Sequence, residues 1–114
     1  MEWGETMQAY EYAALAQERA AAGGPWLEFF REPSLSMGLY ELAAGAVDEQ
    51  SPHSEDEVYY VVRGHGVIRV ADEDRPVQAG SIIFVAANAQ HHFHSITEDL
   101  SLLVIFAPAE YSNQ

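Results

Sequence analysis

A chain of 114 residues makes one domain, large enough to bury roughly two-thirds of its unfolded surface without staples. The absence of cysteine excludes disulfide frameworks, zinc knuckles and thiol catalysis. With no lysine, five arginines and a net charge of −13, the surface repels phosphate backbones and anionic lipid, which argues against nucleic-acid and membrane partners.

The first residues, Met1-Glu2-Trp3-Gly4-Glu5, carry neither a basic region nor an apolar stretch, so no secretory signal is read there. The longest apolar run, 102–108, is too short to span a bilayer, and a cytoplasmic protein is expected. Residues 1–25 form an N-terminal helical segment. Within it, 7–22 is rich in Ala, Glu and Gln and stops at Gly23-Gly24-Pro25. Tyr12, Leu15, Ala16 and Arg19 share its packing face.

Residues 26–114 read as an all-β domain. Strand-like runs fall at 26–31, 35–42, 58–62, 67–70, 82–85, 91–96 and 100–106. Gly64-His65-Gly66 suits a tight hairpin with His65 exposed, and Thr97-Glu98-Asp99 a second turn. Short strands at this spacing predict an antiparallel sandwich or barrel.

Four of the five histidines lie in two stretches, Ser51-Pro52-His53-Ser54-Glu55-Asp56-Glu57 and Gln90-His91-His92-Phe93-His94. Strand alternation puts His91, Phe93 and Ser95 on one face, and His92 and His94 on the other, toward the surface or a dimer interface. It also puts Glu57, Tyr59 and Val61 opposite Val58, Tyr60 and Val62. If the two inward faces meet, His53, Glu57 and His91 form a two-histidine, one-carboxylate set. Such a set holds a divalent transition metal (Fe, Mn, Ni or Zn) with open positions. Tyr59 and Phe93 are expected as cavity walls, and Glu55, in an acidic turn, as solvated.

These stretches resemble the two motifs of the cupin superfamily. The first runs from Gly45 through Ser51-Pro52-His53 and Glu57 to Gly64. The second runs from Gly80 through Ala86-Ala87-Asn88 and His91 to Ser95, with fifteen residues between Gly64 and Gly80. Every motif spacing is kept, and the resemblance covers roughly 35–107. Ser51 stands where the family has the first histidine of a pair, and Ser95 where it has asparagine. Asn88 replaces a glycine and can still adopt a left-handed turn. The resemblance implies a jelly-roll barrel, metal held by His53, Glu57 and His91, Ser51 and Ser95 as possible supporting groups, and a homodimer through sheet packing. It implies either a metal-dependent enzyme on a small organic molecule, with dioxygenase chemistry ahead of isomerase or lyase chemistry, or a non-catalytic binder of a sugar or small acid. One fold hosts many functions, so whether the protein is an enzyme stays open.

Overall fold

The computed structural model describes residues 7–50 and 52–112. One helix, α1 (Tyr12–Ala22), precedes six strands: β1 (Trp26–Glu32), β2 (Leu35–Leu42), β3 (Asp56–Val70), β4 (Glu73–Gln78), β5 (Ile82–Val85) and β6 (His91–Ala107). Helix α1 starts five residues later than expected. Glu11 is extended and makes no side-chain cap, and the Tyr10 ring sits edge-on to Phe29 of β1 at 4.9 Å. Its end falls where the sequence places it. Gly23 is left-handed (φ 89°), and its N–H donates to the carbonyls of Arg19 and Ala20. Leu15 is the helix's buried contact, and α1 lies against β1 and β2.

All strand pairs are antiparallel, in the order β1-β2-β6-β3-β4, with β5 also paired to β3. Strand β6 runs along almost all of β3. The other edge of β3 is divided, with β5 on Glu57–Tyr60 and β4 on His65–Val70. The architecture is therefore a six-stranded antiparallel sheet with one short helix. Among the described residues its edges are β1 on one side and β4 with β5 on the other. The short pieces β4 and β5 leave no continuous edge for β1 to meet.

Two expected turns turn out to be strand. Gly64-His65-Gly66 lies inside β3, and Thr97-Glu98-Asp99 lies inside β6, directly across the ladder from it. Both chains bulge together: the register shifts three times between Val61 and Val67, and Gly64 takes φ 102°. A matched pair of bulges lets long strands bend without ending, so glycine here marks a bend and not a reversal. His65 is exposed as expected, 3.5 Å from Glu98. Strand β4 escaped the sequence reading because Val77 is its single buried residue.

The inward rows of β2, β3 and β6 make the core. Leu42, Tyr59, Val61, Phe93, Leu100, Leu102, Val104 and Phe106 form one buried cluster, joined by Val77 and Val85 from the short strands. Each large apolar side chain buried there contributes roughly 1.5–3 kcal/mol. One end of this inner face is not filled by aliphatic side chains, and His53 and His91 lie there.

Candidate metal centre

The β2–β3 loop delivers His53, the start of β3 delivers Glu57, and the start of β6 delivers His91. Two hydrogen bonds fix the loop that carries His53 to the loop before β6. The Asn88 N–H donates to the His53 carbonyl at 2.6 Å, and the Ala87 N–H donates to Asp56 Oδ1 at 2.9 Å. Asn88 takes the left-handed conformation (φ 69°) expected of it, which brings its N–H onto the first motif.

One donor atom from each of His53, Glu57 and His91 lies within 4.8 Å of the others. Glu57 Oε1 is 3.0 Å from His91 Nε2 and 3.6 Å from His53 Nδ1. Donors that share an ion at about 2.1 Å sit roughly 3.0–3.4 Å apart, so both Glu57 pairs are near the spacing that one divalent cation needs. His53 Nδ1 and Glu57 Oε1 are buried, and neither makes an aligned hydrogen bond among the described residues. A buried polar atom without a partner is costly; Glu57 Oε1 has His91 Nε2 beside it, and a cation shared with them would also satisfy His53 Nδ1.

The outer sides of both rings are held. A carbonyl only accepts, so His91 Nδ1 must carry a proton, donated to the Ala89 carbonyl at 2.8 Å. Its Nε2 is thereby turned toward Glu57. His53 Nε2 lies 3.0 Å from Glu110 Oε2. Tyr59 Oη donates to Gln50 Oε1 at 3.0 Å and lies 3.1 Å from His91 Nε2. Buried Asp48 accepts from Tyr40 Oη, Gln50 Nε2 and the Phe93 N–H at 2.7, 2.7 and 2.8 Å. This chain of bonds ties the wall of the site to β2, β3 and β6.

Burial, with the neighbouring Glu57 charge, lifts the Tyr59 phenol well above its ordinary range. Burial and the bond to Asp48 raise the Tyr40 phenol as well, so both stay protonated. The bond to Glu110 raises the His53 pKa against an opposing effect of burial. Burial works against charge on His91, but the adjoining Glu57 carboxylate and the Ala89 carbonyl outweigh it and raise that pKa also.

A pH prediction follows with two opposite signs. In metal-free protein, histidine pKa values above the unfolded value of about 6.5 give stability that is full below that pH and is lost as pH rises through the folded values. Metal binding must expel those protons, so affinity rises with pH over the same window. Urea unfolding of chelated protein and metal titrations across that window check both slopes. Parallel slopes would contradict the shared site.

The site opens into a cavity of about 400 Å³. Its walls include Trp26, Tyr40, Tyr59, Phe106 and Tyr111, with Gln50 and Glu110 as polar groups. Tyr59 is thus a wall as expected. Phe93 is fully buried beneath it, edge-on at 5.0 Å, as support. Ser95 does not join the set. It takes φ 50°, which breaks the alternation and gives the inward place to Ile96, while the Ser95 hydroxyl contacts His94 Nδ1 at 3.0 Å outside. Glu55 is not solvated: it alternates inward with Glu57 and Tyr59, is 2% exposed, and accepts from the Ser54 hydroxyl. Ser51 lies outside the described residues. His92 and His94 point outward as expected, and His94 Nε2 pairs with Asp74 at 2.8 Å.

Sequence reasoning missed Trp26, Tyr40, Asp48, Gln50, Phe106, Glu110 and Tyr111. Trp26 and Tyr40 were legible as strand residues, and parity alone could have turned them inward. Nothing in the spacing marks Asp48 or Glu110.

The chain belongs to the cupin family, whose cupin-domain model matches residues 38–106. It is 48% identical over 104 residues to an uncharacterized protein of Streptomyces coelicolor, covering 91% of this chain and 99% of that one. Among solved structures it is similar to TT1209 of Thermus thermophilus, at 25% identity and a TM-score of 0.72, covering 90% of this chain and 99% of that one. It is also similar to KdgF of a Halomonas species, at 21% identity and a TM-score of 0.67, covering 73% and 76%.

Proposed function

We propose that the protein is a small metal-binding cupin that takes an organic molecule against a divalent transition ion, with dioxygenase-like chemistry as the leading activity. The observation that carries this reading is the buried convergence of His53, Glu57 and His91. The common core beneath all the main strands supports a jelly-roll barrel as the surrounding fold. A bound ion here supplies a Lewis-acid or redox centre with open positions. The two imidazoles serve as neutral donors and Glu57 as the anionic one. Tyr59 and Tyr40 keep their protons directed at Gln50 and Asp48, which holds these side chains still. The aromatic walls give the cavity a largely apolar lining.

The charge of the cavity narrows the ligand. Among the described residues no arginine lines it, the chain has no lysine, and Glu57 and Glu110 both border it. An organic anion would have only the metal to offset repulsion, so an uncharged ligand with a flat apolar face suits the walls better. The alternative is a non-catalytic module binding such a molecule. A sugar fits its aromatic faces better than a small acid does.

Three measurements test the reading. Protein purified without chelator is analysed for metal, with about one ion per chain expected. Oxygen uptake on adding Fe(II) with candidate substrates separates an oxygenase from a binder. Quenching of Trp26 in a Trp3→Phe background compares catechol with benzoate, and tighter benzoate binding would overturn the charge argument.

The outward face supports a homodimer. Met37, Ile105, Val58 and Phe84 pair in register across four strands, as do Leu39, Leu103, Tyr60 and Ile82. Ile82 and Phe84 are 71% and 62% exposed. Leu39 at the β2 end is buried, whereas Tyr60, Ile82 and Phe84 at the β3–β5 end face solvent and have a physical reason to meet a second copy. Phe84→Glu is expected to halve the mass seen by light scattering, and an unchanged mass would remove this face from the interface. Among the described residues no helix is long and apolar enough to cross a membrane. A cytoplasmic location remains the proposal.

A further inference from the structure

We propose that Glu110 is a positioning residue: it fixes the proton of His53 on Nε2 and so turns the Nδ1 lone pair into the metal site. The proposal rests on the reading of His53, Glu57 and His91 as ligands.

Glu110 lies beyond the matched cupin region, which ends at residue 106, and 53 positions after Glu57 in the chain. Backbone contacts bring it back. Its N–H donates to the hydroxyl of buried Ser36 at 2.9 Å, and its carbonyl accepts from Arg31 Nη2 at 2.7 Å. The preceding Ala109 is 1% exposed and donates to the Pro33 carbonyl at 3.3 Å. The segment is therefore seated by its main chain, and its carboxylate is free to serve the site. That carboxylate is itself buried, with Oε2 3.0 Å from His53 Nε2.

A neutral imidazole has one N–H and one lone pair. A carboxylate accepts and cannot donate, so it selects the tautomer with the proton on Nε2. The lone pair then sits on Nδ1. That is the buried atom without a hydrogen-bond partner among the described residues, 3.6 Å from Glu57 Oε1. For His91 the Ala89 carbonyl accepts from Nδ1–H, which leaves Nε2, 3.0 Å from Glu57 Oε1, as the nitrogen facing the site. The two rings thus present opposite nitrogens to one point, each fixed from behind by an oxygen. Outer partners of this kind typically govern metal affinity by about 10–100-fold. Glu110 also adds a second negative charge near a divalent ion, beside that of Glu57.

The test compares wild type, Glu110→Gln and Glu110→Ala in the full chain. Zn(II) affinity is measured by chelator competition, and the His53 ring nitrogens are assigned by long-range proton–nitrogen correlation. In wild type the proton is expected on Nε2, with zinc on Nδ1. Glu110→Ala is expected to bind zinc about 10–100-fold more weakly. Glu110→Gln keeps an acceptor oxygen and retains most of the affinity. Three results would overturn the proposal: zinc on His53 Nε2, unchanged affinity in Glu110→Ala, or equal loss in both variants with an altered Co(II) absorption spectrum, which makes Glu110 a direct ligand. If wild type takes up no metal, the ligand reading falls. The metal-free tautomer at alkaline pH, where the ring is neutral, then still decides whether Glu110 positions His53.

Discussion

Replacing His91 with alanine is expected to weaken metal binding by more than the roughly 100-fold that losing an outer partner costs. His91 is the best-fixed donor of the three. Its side chain is almost wholly buried, its Nδ1–H is held by Ala89, and its Nε2 lies 3.0 Å from Glu57. Removing it leaves two donors and exposes an ion to water on the side that Tyr59 now covers. The truncation also removes the donor to the half-buried Ala89 carbonyl, at about 0.5–1.5 kcal/mol for one hydrogen bond. Equilibrium dialysis with metal analysis checks the first effect and urea denaturation of chelated protein the second. Metal retained at wild-type stoichiometry would place the ion elsewhere.

Gly64→Ala is expected to be the most destabilising single methyl addition in the sheet. At φ 102° an L-residue is strained by about 1–3 kcal/mol. The added methyl would also press into the Asp99 carbonyl and sit 2.8 Å from Leu100 Cα, both backbone positions that cannot swing aside. Overpacking of this kind typically adds about 1–3 kcal/mol more. Gly38→Ala provides the contrast. Its new methyl meets the six-membered ring of Trp26 first, a side chain and not backbone, so the cavity wall changes more than the stability does. Urea midpoints for both variants, with Trp26 fluorescence for the second, test the distinction. A smaller loss for Gly64→Ala than for Gly38→Ala would refute it.

Much of this was legible in the residues alone. The motif spacing put His53, Glu57 and His91 together because strand alternation and turn length constrain where side chains converge. Outward Val58, Tyr60 and Val62 were read by the same parity. Parity failed at Ser95, where one left-handed residue shifts every later side chain to the other face. It was misapplied at Glu55, where acidity suggested solvent but alternation with Glu57 pointed inward. The Gly64-His65-Gly66 reading failed for a different reason: a glycine pair permits a reversal or a bulge, and the choice depends on what the partner strand does. Glu110 could not be found from local pattern at all, because its position is set by contacts with Ser36, Pro33 and Arg31.

The order β1-β2-β6-β3-β4 also says something about how the molecule must come into being. Among the described residues β6, the strand latest in the chain, is the one that joins the two halves of the sheet. Before β6 is available, β1–β2 and β3–β4–β5 are separate antiparallel pieces with unpaired edges and half-covered apolar faces. Pieces of two or three strands are marginal alone, and unpaired edges invite association with other chains. During synthesis the two halves therefore cannot join until β6 has left the ribosome. The sheet's assembly then depends on pairings distant in sequence, which are slow to form. A chain cut before β6 loses far more than one strand, because it loses the connection on which both halves depend.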